Sequence, residues 1–80
     1  MKTEVRCYAG AGYPERPRSF LFGDERVDVA EVERRERTPS GLRFLVRTAD
    51  GRRFALRYDE ERDEWDVRLR GRRPEKGDRL

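Results

Sequence analysis

Between residues 42 and 70 the chain keeps one two-residue rhythm through three successive runs, and that rhythm leaves few folds open. Leu42, Phe44 and Val46 alternate with Arg43, Leu45 and Arg47. After Ala49-Asp50-Gly51, Phe54, Leu56 and Tyr58 alternate with Arg53, Ala55 and Arg57. After residues 60–63, Trp65, Val67 and Leu69 alternate with Asp66, Arg68 and Arg70. Successive side chains of a strand point to opposite sides, so the pattern predicts a half-buried antiparallel sheet with one apolar face.

The turns set the register. Ala49-Asp50-Gly51 suits a three-residue hairpin loop, a type I turn closed by a left-handed glycine. That loop opposes Val46 to Phe54 and Phe44 to Leu56, whereas a two-residue Asp-Gly turn opposes Val46 to Ala55 and mixes the faces. The four-residue loop 60–63 sets Tyr58 opposite Trp65 and Leu56 opposite Val67. The expected core is therefore three rows: Leu42-Tyr58-Trp65, Phe44-Leu56-Val67 and Val46-Phe54-Leu69.

The first half is less regular. Residues 3–8 read as one strand with Val5 and Cys7 on one face, and the Gly- and Pro-rich segment after it is neither strand nor helix. A short strand over 19–22, a tight turn over 23–25 and a long strand over 26–37 follow. Val27 and Val29 share a face and Val32 breaks their parity, so a bulge near Ala30 and Glu31 is expected. A helix over 25–37 is the competing reading, but these valines make no convincing helical stripe. Thr38-Pro39-Ser40-Gly41 is a turn. The prediction is all-β: five or six antiparallel strands in a small, partly open barrel of SH3-like character, or a flatter meander with a strand-mediated dimer. Residues 1–70 form the single small β domain, and 71–80 a charged flexible tail.

Composition narrows the chemistry. An 80-residue domain buries only about 60–65% of its unfolded surface, and the lone Cys7 excludes an intrachain disulfide. Charged residues make up 46% of the chain and hydrophobic ones 34%, a balance that suggests disorder unless periodicity argues otherwise, as it does here. Of twenty basic residues only Lys2 and Lys76 are lysines, and Ile, Asn, Gln and His are absent. Dense charge without amides suits a thermophile; arginine over lysine suits a GC-rich genome equally well. Without histidine, Ser-His and Cys-His pairs and histidine metal sites are excluded, and one cysteine excludes a zinc ribbon. Gly10 and Gly12 lack the lysine and helix of a phosphate loop. Neither a signal peptide nor a bilayer-length apolar run is present, which makes the reducing cytoplasm the expected location. No cofactor, no enzyme activity and no membrane partner are expected.

Two groups of residues are candidate sites. The outer face carries the rows Arg43-Arg57-Asp66, Leu45-Ala55-Arg68 and Arg47-Arg53-Arg70, so Arg43, Leu45, Arg47, Arg53, Arg57, Arg68 and Arg70 form a candidate binding face. Like charges directly opposite are unfavourable, and three arginines in one row need an anion. Glu31 and Glu33 of the preceding strand are one source, phosphate of RNA or DNA another, and Leu45 offers a protein contact, a second copy included. Few aromatic residues stand among the arginines, which weighs against a single-strand nucleic-acid binder. The second group is Cys7, Tyr8, Tyr13, Glu15 and Arg16. A cation near a thiol lowers its pKa, but no general base or resolving cysteine accompanies it, so Cys7 is expected to be a small core residue. Tyr8 and Tyr13 are expected to cover the open end of the barrel. The expected function is non-catalytic protein interaction; the alternative is a nucleic-acid-binding small barrel using Arg47, Arg53, Arg68 and Arg70.

Two motifs carry a resemblance. CY-x-G-x-x-Y-x-ERP-x-x-F comprises Cys7, Tyr8, Gly10, Tyr13, Glu15, Arg16, Pro17 and Phe20. DG-x-x-(F/Y)-x-LRYD-x-x-x-DEW comprises Asp50, Gly51, Phe54, residues 56–59 and residues 63–65. Together they span about residues 5–69 and resemble a family of short uncharacterised bacterial proteins. Members of that family carry an aromatic DRW-like segment where this chain has Glu33-Arg34-Arg35-Glu36-Arg37. The resemblance implies family membership and no particular activity.

Overall fold

The computed structural model describes residues 1–7 and 16–72, of Arg72 the backbone alone. Among these residues the chain forms seven strands: β1 (Lys2–Thr3), β2 (Val5–Cys7), β3 (Pro17–Phe22), β4 (Glu25–Thr38), β5 (Gly41–Thr48), β6 (Arg52–Asp59) and β7 (Glu64–Arg72). Neighbours are antiparallel and follow the order β1-β7-β6-β5-β4-β3-β2. It is a meander curled into a nearly closed small barrel. Residues 25–37 are strand, not helix. No helix long and apolar enough to cross a membrane occurs among the described residues.

Seven strands replace the expected five or six because the first strand breaks at Glu4 and serves both ends of the meander. β1 pairs with β7 (Lys2↔Asp66, Thr3↔Trp65), while β2 pairs with β3 (Val5↔Phe20, Arg6↔Ser19). Between them the Leu21 N–H donates to the Glu4 carbonyl at 3.1 Å, and the Thr3 hydroxyl donates to the Leu21 carbonyl. The sequence pattern marks these residues as extended but carries no sign of two different partners.

The two C-terminal hairpins take the predicted register: Val46↔Phe54, Phe44↔Leu56, Leu42↔Tyr58, Leu56↔Val67 and Tyr58↔Trp65. Gly51 closes the first turn at φ 90°, and its N–H donates to the Thr48 carbonyl at 3.0 Å. Pairing then differs from expectation in three places. β4 carries two register shifts against β5, one between Val29 and Glu31 as expected and a second between Val32 and Arg34. β6 and β7 shift after Phe54↔Leu69, so that Arg53 faces Gly71 and Arg70 becomes the extra residue. The row Arg47-Arg53-Arg70 is therefore not formed. β7 also runs through Gly71 and Arg72, past the expected domain boundary at residue 70; the expected tail over 73–80 lies outside the described residues.

The core is Phe20, Val27, Leu42, Phe44, Val46, Phe54, Leu56 and Val67. Phe54 lies at its centre, met edge-on by Phe20 at 4.8 Å and Phe22 at 5.0 Å between ring centres. Edge-on geometry suits the ring quadrupoles. Trp65 is half-buried at the rim, packed on Tyr58 (5.0 Å) and Phe44 (5.9 Å). Leu69, expected in the core, is 46% exposed. Its neighbour strand explains this: β1 pairs with β7 only around Trp65–Val67, and among the described residues nothing continues the sheet beside Leu69.

Candidate functional site

The outer faces of β4–β7 curve into an open groove of about 610 Å3. Glu36, Arg37 and Pro39 form one wall, Arg43, Ala55 and Arg57 the floor, and Asp66, Arg68, Leu69 and Arg70 the other wall. Alternation delivers the arginines to this face, and Ala55, only 6% exposed, keeps the floor shallow between their stems. A smaller hollow of about 240 Å3 adjoins it around Leu45, bordered by Glu33, Arg53 and Arg70.

One half of the candidate face is neutralised from within. The bulges of β4 bring two glutamates to Arg47: Glu31 Oε1 lies 2.5 Å from Nη2, and Glu33 Oε2 lies 3.7 Å from Nε. Glu33 also meets Arg53 Nη2 at 3.3 Å. The hydrogen bond to Glu31 raises the Arg47 pKa above its ordinary value. Arg43 pairs with Glu36 at 3.1 Å, and Glu36 takes Arg34 at 2.8 Å through its second oxygen. The glutamates named from sequence thus meet Arg47 and Arg53. No sequence pattern marks Glu36, because its pairing with Arg43 depends on the second bulge.

The other half is not neutralised. Among the described residues Arg57, Arg68 and Arg70 have no carboxylate within ion-pair distance. Arg57 stands opposite Asp66 in register, but the Asp66 Oδ1 accepts from the Met1 ammonium at 2.6 Å. Leu45 is half-buried between the two halves.

The second candidate group is only partly described, since Tyr8, Tyr13 and Glu15 lie outside the described residues. Cys7 is half-buried and pairs with Pro17. Burial pushes its thiol pKa up, outweighing a hydrogen bond with the Arg16 backbone that lowers it. This is the opposite of an activated thiol. No group of three acidic, Cys or His side chains that could hold a metal occurs among the described residues.

A further cluster joins two turns. Arg52 binds Asp50 Oδ2 at 3.0 Å and Glu25 Oε2 at 3.2 Å, with its guanidinium 5.4 Å from the centre of the Phe54 ring. The Thr48 hydroxyl donates to Asp50 Oδ1 at 2.5 Å, and together with Arg52 it holds the Asp50 carboxyl down to about 2. These contacts tie the β3–β4 turn to the β5–β6 turn. Their local signal is the run Thr48-Ala49-Asp50-Gly51-Arg52; Glu25 is too distant in sequence to be paired by pattern.

Comparison with protein-family models, curated proteins and solved structures finds no match to this chain.

Proposed function

We propose that the protein is a non-catalytic binding module that takes an acidic segment of a partner protein into the arginine groove. One observation carries this reading: Arg57, Arg68 and Arg70 line one groove with no carboxylate within ion-pair distance among the described residues, while Arg43, Arg47 and Arg53 beside them are all paired. Guanidinium groups grip carboxylates in two-point contacts, and partly covered pairs of this kind exceed ordinary surface ion pairs in strength. A nucleic acid is the weaker reading. Among the described residues no aromatic side chain lines the groove to stack a base.

The test is fluorescence anisotropy of a labelled polyglutamate peptide and of a heterogeneous RNA, each titrated at several salt concentrations. The peptide should bind at low salt, with Arg57→Ala and Arg68→Ala each weakening it about tenfold. RNA binding with a steep salt slope in place of peptide binding would select the nucleic-acid reading.

A single cysteine suits a reducing bacterial cytoplasm, and the Arg34-Glu36-Arg43 and Arg47-Glu33-Arg53 networks suit growth at high temperature. Membership of the family of short bacterial proteins rests on the two sequence motifs.

A further inference from the structure

We infer that the acidic segment binds as an added β-strand, pairing with the edge of β7 beside Leu69. The inference rests on the groove reading and adds a binding mode to it. The Val67 N–H donates to the Met1 carbonyl at 2.7 Å, so the outward side of β7 at Val67 is occupied. Backbone groups of an antiparallel strand turn to alternate sides, so the N–H and C=O of Leu69 face the same way as those of Val67. No strand covers them there among the described residues. An open edge of this kind is a template for a further strand.

The side chains on that edge specify what it accepts. Leu69 is 46% exposed, and Arg68 and Arg70, both lining the groove, flank it. A strand laid alongside places acidic side chains by Arg68 and Arg70 and an apolar one by Leu69, so the matching segment alternates acidic and apolar residues. The same edge rejects a second copy of the chain. Two β7 edges paired about Leu69 would set Arg68 of each copy against Arg70 of the other, four arginines with no counter-charge. Charged edges prevent self-association in this way while leaving an oppositely charged partner free to bind.

The experiment titrates isotope-labelled protein with a (Glu-Val) repeat peptide, with the same peptide N-methylated at alternate backbone positions, with polyglutamate and with RNA. N-methylation keeps the charge and removes the donors that strand pairing needs. The expected result is saturable binding of the repeat peptide, slower hydrogen exchange at the Leu69 amide, and binding about tenfold weaker for the methylated peptide. Equal affinity of both peptides with unchanged Leu69 exchange would overturn strand addition and leave the groove reading standing. Failure of every acidic peptide to bind at low salt, whether or not RNA binds, would overturn both. A peptide-free dimer with a protected Leu69 amide would overturn the selection against self-pairing.

Discussion

Gly41 runs so close beneath the backbone of Tyr58 that a β-carbon built on it would stand 2.0 Å from the Tyr58 carbonyl oxygen. The obstacle is backbone of the adjacent strand β6, with Gly41 itself paired to Asp59, so no side chain can swing aside to make room. Gly41→Ala should therefore destabilise the domain by about 1–3 kcal/mol or more, as overpacking does. A urea titration reads it directly. A urea midpoint equal to the parent's would show that the two strands part more easily than their pairing implies.

The aromatic residues should separate into two levels. Phe54 is fully buried between Phe20 and Phe22, so Phe54→Ala should cost about 3–5 kcal/mol, enough to unfold most of a domain this small. Trp65 is half-buried, and Trp65→Ala should cost less than Phe54→Ala. Circular dichroism melts of the two variants give the order, and the reverse order would relocate the centre of the core.

The difference between Phe54 and Trp65 also shows where sequence reasoning reaches its limit. Alternation and loop length suffice for the register of β5, β6 and most of β7, because a slip of one residue turns every apolar side chain to the wrong face. They do not give depth. Whether Leu69 ends buried or exposed depends on how far β1 covers β7, a contact between chain ends that leaves no local trace. The candidate face divides likewise. Glu31 and Glu33 were legible as partners because they lie on the strand before the arginines. The second bulge of β4 and the shift that turns Arg53 to Gly71 decide which arginines stay unpaired, and neither breaks a visible pattern.

Acid should weaken the domain partly through Asp50. Hydrogen bonds from Thr48 and then Arg52 hold its carboxyl at about 2, below its ordinary 3.8. A depressed carboxyl pKa contributes stability above the unfolded value, and that contribution is lost as pH falls from the unfolded value through the folded one. The loss should thus fall between about pH 4 and pH 2. Melting temperature followed over that range should drop more for the parent than for Asp50→Asn, and Thr48→Val should reduce the drop. Parallel curves for parent and Asp50→Asn would remove Asp50 from the acid response.

Removing Glu33 should reveal what the internal ion pairs conceal. Its carboxylate serves both Arg47 and Arg53, whereas among the described residues Glu31 reaches only Arg47. Exposed or half-exposed pairs contribute about 0–1 kcal/mol each, so Glu33→Ala should still fold, with a modestly lower melting temperature. Among the described residues it leaves Arg53 without an ion-pair partner and Arg47 with Glu31 alone, extending the unpaired arginines from the groove across the Leu45 hollow. Nonspecific RNA binding should then appear at low salt in the variant and not in the parent, and it should fade as salt displaces the phosphate contacts. Glu31→Ala should do the same more weakly. If both variants stay as inert toward RNA as the parent while still binding acidic peptide, the internal ion pairs are not what keeps RNA off the paired half of the face.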